Sequence, residues 1–167
     1  MKKVTLVILI CLLMSAVLAG CRARMVEQEQ LSQVVAIGNP WSDWESIEEA
    51  EKAVGFSFEL PAVIDDKCTA VAFRTMNNEL MEIIYRDEDR EICVRKQKGE
   101  DLDISGDYNQ YDLCTEEHVG GATIVRYSNE NNDAVRQLIS FEGYSWSIVA
   151  GDEGDSDLDF VSKILGQ

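Results

Sequence analysis

The sequence predicts an α+β domain, an antiparallel meander of about seven strands flanked by an N-terminal and a C-terminal helix. Three observations carry that expectation. Between residues 56 and 148, apolar and polar residues alternate in short runs, the pattern of a sheet with one buried and one wet face. Brief turn signals such as Asn77-Asn78, Gly120-Gly121 and Glu142-Gly143 join the runs, and short connections favour antiparallel neighbours. At both ends the apolar spacing becomes helical, and amphipathic helices need an apolar surface to cover.

The elements follow in order. Ser46-Ile47-Glu48-Glu49 fits a capping box, with Ser46 covering the first amides and Glu49 reaching back. Ile47, Ala50, Ala53 and Val54 share one helical face, and Gly55 stands at the C-terminal cap. Phe56 and Phe58 then alternate with Ser57 until Pro61. Strands are expected at Cys68–Met76, with Val71 and Phe73 as apolar positions, and at 80–86, 91–98, 110–119 and Ala122–Ser128. Asp87-Glu88-Asp89 and the polar stretch 129–133 supply further turns. The last two strands are the clearest: Val135, Ile139 and Phe141 against Arg136 and Ser140, then Tyr144, Trp146 and Ile148 against Ser145 and Ser147. A closing helix has an acidic start at 155–157, a stripe of Leu158, Val161, Ile164 and Leu165, Lys163 in its last turn and Gly166 as its cap.

The first 21 residues read as an address. Lys2 and Lys3 precede an uncharged apolar run over 4–18, and small residues lead directly into a cysteine. Leu18-Ala19-Gly20-Cys21 resembles the lipobox of bacterial lipoproteins. The resemblance implies cleavage between Gly20 and Cys21 and a diacylglyceryl group on the Cys21 thiol. It places the protein at the cell membrane, lipid-anchored on the extracytoplasmic face. The competing reading is a plain transmembrane anchor, for which the run is short against the roughly 20 residues a span needs. Residues 22–40 lack a sustained pattern and end in the breaker cluster Gly38-Asn39-Pro40, with a short helix expected over 30–37. The division is therefore a signal peptide at 1–20, a tether at 21–40 and one α+β domain at 41–167.

The 167 residues carry a formal charge of −16, and loss of residues 1–20 leaves 13 basic against 31 acidic side chains. So acidic a domain excludes nucleic acid as a partner, because that affinity depends on Lys and Arg neutralising phosphates. Anionic headgroups repel it too, so membrane residence rests on the acyl chains.

Residues 101–112 are the best candidate for a metal site. Asp101, Asp103, Ser105, Asp107, Asn109 and Asp112 occupy positions 1, 3, 5, 7, 9 and 12 of a twelve-residue loop, with Gly106 at position 6, the spacing of an EF-hand calcium loop. Asp112 is shorter than the usual bidentate glutamate, and the flanks read as strands. The same residues also suit a strand-connecting turn with Gly106 at positive φ and side chains satisfying the turn's amides. Among the cysteines, Cys93 and Cys114 lie in strands on either side of this loop, and antiparallel pairing of those strands would allow a disulfide between them. The alternative is three reduced thiols, at Cys68, Cys93 and Cys114. One histidine, His118, is too few for a zinc site of His and Cys ligands, and no nucleophile motif such as G-x-S-x-G is present. The expected protein is not an enzyme. Trp41, Trp44, Tyr144 and Trp146 read as core aromatics or as the lining of a groove.

Three stretches, Ile47-Glu-Glu-Ala-Glu-Lys-Ala-Val-Gly-Phe-Ser-Phe58, Asp103-Ile-Ser-Gly-Asp-Tyr-Asn109 and Tyr144-Ser-Trp-Ser-Ile148, together resemble a domain of unknown function. That domain occurs in lipoproteins and in anti-sigma-factor-like membrane proteins of Gram-positive bacteria. The resemblance implies a small antiparallel sheet with flanking helices outside the membrane and brings no catalytic residues. The expected function is a membrane-anchored binding or sensing module for an envelope protein or a small ligand. The alternatives are a carrier of lipid or another apolar ligand on an open half-barrel, and an envelope hydrolase.

Overall fold

Alternation makes the strands, and in a computed structural model the strands make one sheet. The structure describes residues 39–64, 68–87, 90–130, 136–150 and 160–166. The expected tether helix over 30–37, the signal segment and Cys21 lie outside the described residues. Among the described residues nine strands run in the order β1 (Trp41–Trp44), β2 (Val63–Ile64), β3 (Cys68–Met76), β4 (Leu80–Asp87), β5 (Arg90–Lys98), β6 (Leu113–Val119), β7 (Ala122–Ser128), β8 (Arg136–Phe141) and β9 (Tyr144–Ala150). Helix α1 (Ile47–Val54) follows β1, and α2 (Phe160–Ile164) closes the domain. The fold is α+β, as the alternation predicts.

Every pairing is antiparallel. The sheet order is β1-β3-β4-β5-β9-β8-β7-β6, with β2 beside β3. The chain therefore meanders through β3, β4 and β5, crosses to β6, and returns as a second meander whose last strand, β9, pairs with β5. Sequence alternation cannot show that crossing, because it reads each strand without its partner. Nor does it show β1 and β2, which are too short to display a period.

The turns follow their residues. Asn77 and Asn78 take positive φ (54° and 55°) in the three-residue connection between Met76 and Leu80, and Gly120 and Gly121 (61° and 88°) do so in the two-residue turn between Val119 and Ala122, where that twist suits a tight hairpin. At α1, Ser46 accepts a hydrogen bond from the Glu49 amide at 3.4 Å, and Gly55 takes φ 73° as the cap. Glu49 reaches back one residue further than a capping box requires, accepting from the Glu45 amide at 3.3 Å.

One face of the sheet holds the apolar core. Met81, Ile83 and Tyr85 of β4, Ile92 and Val94 of β5, Trp146 and Ile148 of β9, Ile139 of β8 and Ile124 of β7 are all buried there. Ala50 and Val54 of α1 join this cluster, as do Phe58, Leu60, Ile64 and Phe160. The Phe56/Phe58 alternation does not make a strand. It marks an extended cover whose aromatic side chains point at the sheet, with Phe58 against Trp146 (5.2 Å between centroids) and Phe56 against Tyr144 (5.5 Å). Phe160 packs edge-on against Tyr85 at 5.2 Å. A register shift between Ala70 and Ala72 turns Val71 outward, where it is exposed. The bulge thus separates Val71 from Phe73, which packs against the core.

The second face departs from the expectation of a wet surface. Ser145 and Ser147 are buried, because the connection over 99–112 folds back across this side. The Leu102 amide donates to Ser145 Oγ at 3.0 Å, and Ser145 Oγ donates to the Gly99 carbonyl at 2.9 Å.

Candidate functional site: the loop-covered face of the sheet

The second face begins with a row of charges that the register dictates. Asp43 pairs with Arg74, Arg74 with Glu82, and Glu82 with Arg95 across four neighbouring strands. Opposite charges directly across strands attract, and the row runs from water inward, from an exposed Asp43 to Glu82, which is only 3% exposed. Its Oε2 accepts from Arg95 Nε at 2.8 Å and from Cys93 Sγ at 3.1 Å. Arg74 lies 3.5 Å from the other carboxylate oxygen and 3.2 Å from Asp43. Burial first, and then the neighbouring Glu82 carboxylate, push the Cys93 thiol up to about 12. It stays protonated at neutral pH and is a poor nucleophile.

Arg95 carries the row into the loop, donating from Nη1 to the Ile104 carbonyl at 3.0 Å. A methyl group on Gly106 would stand 2.2 Å from that same nitrogen. Gly106 is thus required twice, by its φ of 63° and by this approach. From there the loop is a ladder of side-chain-to-backbone bonds. Asp103 Oδ1 accepts from the Ser105 amide (3.1 Å) and hydroxyl (2.6 Å). Ser105 Oγ accepts from the Asp107 amide at 3.2 Å, and Asp107 Oδ1 from the Asn109 amide at 2.9 Å. The Tyr111 hydroxyl donates to Asp107 Oδ2. Arg136 clamps the ladder from β8, donating to the Asp107 carbonyl at 2.7 Å and lying 3.6 Å from Asp103 Oδ2. Its guanidinium stacks 4.0 Å from the Tyr127 ring and 5.2 Å from Tyr111.

Four of the six oxygen ligands at calcium-loop spacing, Asp101, Asp103, Ser105 and Asp107, are therefore engaged within the fold. Asp101 accepts from Ser140 Oγ at 2.9 Å, Asp103 and Asp107 serve the turn's own amides, and Asp112 stands exposed where the chain enters β6. Among the described residues no three His, Cys, Asp or Glu side chains gather around one point. The flanks are strands, so the arrangement is the amide-satisfying turn rather than a helix–loop–helix cradle. The Cys93–Cys114 disulfide is not formed, and both are free thiols. The expectation required β5 to pair with β6, but β9, β8 and β7 intervene. Four interstrand steps of about 4.8 Å place the two strands far beyond bridging distance.

Two features of this face were not legible. Tyr108, between Asp107 and Asn109 of the ladder, is 94% exposed. On the same face, Asp101, Leu102, Asp103, Val125, Tyr127 and Leu138 are among the residues that line a cleft of about 280 Å³. His118 lies on the outer hairpin, its Nδ1 3.1 Å from Thr123 Oγ1 and its Nε2 3.4 Å from Glu116. A hydroxyl, an imidazole and a carboxylate in that order suggest nucleophilic chemistry. Such chemistry needs a water-excluded site, and both His118 and Glu116 are exposed, so this is a solvated cross-strand contact.

The apolar face hides one more charge. Lys96 is 1% exposed, with its ammonium 4.3 Å from the Tyr144 ring centroid and 4.5 Å from that of Trp146. It donates to the Ser57 carbonyl at 2.7 Å and lies 3.3 Å from Glu59. Burial lowers its pKa, and Glu59 works in the opposite sense. Lys96 thus fills the aromatic pocket itself, and Trp146 and Ile148 are buried beneath the Phe56–Leu60 cover.

No helix among the described residues is long and apolar enough to cross a membrane. No protein-family model, curated protein or solved structure matches the chain.

Proposed function

We propose that the chain is a membrane-anchored extracytoplasmic lipoprotein acting as a binding or sensing module, with the loop over 99–112 as its recognition surface. One observation carries this reading: a fully exposed Tyr108 on a loop whose backbone is fixed by its own side chains and by Arg95 and Arg136. A rigid exposed tyrosine offers contact area at low entropic cost, the property of recognition loops. The lipobox-like Leu18–Cys21 segment supports the address. The filled inner face speaks against a carrier, since Phe58 and Lys96 occupy the space a lipid would need. The protonated Cys93 thiol and the solvated His118 contact favour a non-catalytic role.

The test is site-specific photocrosslinking in the full-length, membrane-anchored protein. A photoreactive amino acid at position 108 should yield a discrete adduct with an envelope component, and one at exposed Val71 on the bulged strand should not. Equal labelling at both positions, or none at 108, would contradict the reading.

A further inference from the structure

The sheet ends in two edges that differ in what they offer. β1 has four residues, follows Pro40, and its Asp43 is engaged by Arg74. β6 has seven residues paired with β7 in unbroken register, without proline, lysine or a bulge. Natural edges are ordinarily blunted by those devices. Among the described residues β6 pairs with β7 alone.

The hairpin fixes which backbone groups face outward. Val119 and Ala122 flank the two-residue Gly120-Gly121 turn, so they exchange both of their hydrogen bonds. Pairs alternate from there, leaving the N–H and C=O groups of Cys114, Glu116 and His118 directed away from β7. Leu113 and Val119, at the two ends of the strand, are 48% and 39% exposed. Between them stand Glu116, beside His118 on the same strand, and Glu117, which accepts from Arg126 of β7.

We infer that β6 is an acceptor edge for an extended basic segment of a partner protein, which adds as a tenth, antiparallel strand. The matching segment has apolar residues opposite Val119 and Leu113 and two basic residues opposite Glu117 and Glu116. Charge argues against a second copy of this chain. A two-fold antiparallel self-pairing centred on β6 sets Glu116 against Glu116, and like charges directly across a strand pair repel. Each copy also carries a formal charge of −16. The inference rests on the binding-module reading and names its partner's chemistry, but it does not use Tyr108.

The probe is the labelled, end-capped peptide Val-Thr-Lys-Lys-Thr-Thr-Val, titrated by fluorescence anisotropy against the full chain in detergent. Its counterpart has glutamates for the lysines. The lysine peptide should bind about tenfold or more tightly than the glutamate peptide. Glu116→Lys should reverse that order, because Glu117 is already paired with Arg126 and the edge would then present a net positive charge. His118→Pro removes one outward N–H where edge proline is tolerated and should abolish binding of both, whereas Val71→Ala, on the exposed bulge of β3, should leave it unchanged. Equal affinities for the two peptides, or no binding at about 1 mM, would overturn the inference and leave the Tyr108 surface standing. A concentration-dependent dimer that His118→Pro dissolves would overturn it too, by assigning the edge to a second copy. If His118→Pro fails to fold, the Glu116→Lys reversal decides alone.

Discussion

The two faces of the sheet each bury a charged side chain, and they do so for different ends. On the apolar face Lys96 lies beneath aromatic rings with one carbonyl and one half-exposed carboxylate for company. On the other face Glu82 sits between two arginines and a thiol, in a row that continues through Arg95 into the loop over 99–112. A buried charge with several matched partners fixes geometry, whereas one wrapped in apolar groups mainly fills space and retains a desolvation cost. The core face therefore supplies stability, and the polar face supplies the position of a loop.

The largest expected effect tests the core. Phe58→Ala removes a fully buried ring that bridges the cover segment to Trp146 and should cost about 3–5 kcal/mol in urea unfolding. Glu82→Ala comes next. It leaves Arg95 in a largely buried position without its carboxylate and should cost about 3 kcal/mol, with loss of the ordered amide signals of the loop. If the stability fell but the loop signals persisted, the link from charge row to loop would be broken.

An alkaline titration sharpens the contrast. In the unfolded chain the Cys93 thiol ionises from its ordinary value of 9.0, while in the folded protein it stays protonated to about 12. The folded state thus holds the extra proton across that window, and stability falls as pH rises through it, by up to about 1.4 kcal/mol per pH unit from this group. Cys93→Ala should flatten the stability profile between pH 9 and 12, and a profile as steep as the parent's would show that Cys93 is not shielded as described. The smallest effect is expected on the other buried charge. Lys96→Met keeps the stem beneath the rings and removes the desolvation cost, so stability should move by about 1 kcal/mol or less. A loss as large as that of Glu82→Ala would erase the distinction between the faces.

What was legible in the residues follows the same division. The core face was legible because Ile83, Val94, Trp146 and Ile148 each recur at period two and face one apolar layer. The capping of α1 and the hairpin turns were legible because Ser46, Gly55, the Asn77-Asn78 pair and the Gly120-Gly121 pair act locally. The second face was not, because it is made by pairings between distant strands. Ser145 and Ser147 look like solvent residues until the loop lies on them. The acidic spacing over 101–112 fits either a cation or the chain's own amides, and only the positions of Arg95, Arg136 and Ser140 favour the amides. Cys93 and Cys114 are neighbours in a simple meander and strangers in one whose last strand returns to β5. Lys96 continues the Ile92/Val94 face, yet its burial depends on Phe56 and Ser57 folding over it.

Hydrogen exchange of the loop amides tests most directly whether the loop is a recognition surface built in advance. In the full chain, the Ser105, Asp107 and Asn109 amides should exchange about tenfold or more slowly than in a free peptide. Gly106→Ala should release them while the amides of Ile83 and Trp146 keep their protection. Free-peptide exchange rates at those three positions in the parent protein would contradict a preorganised loop and the function proposed for it.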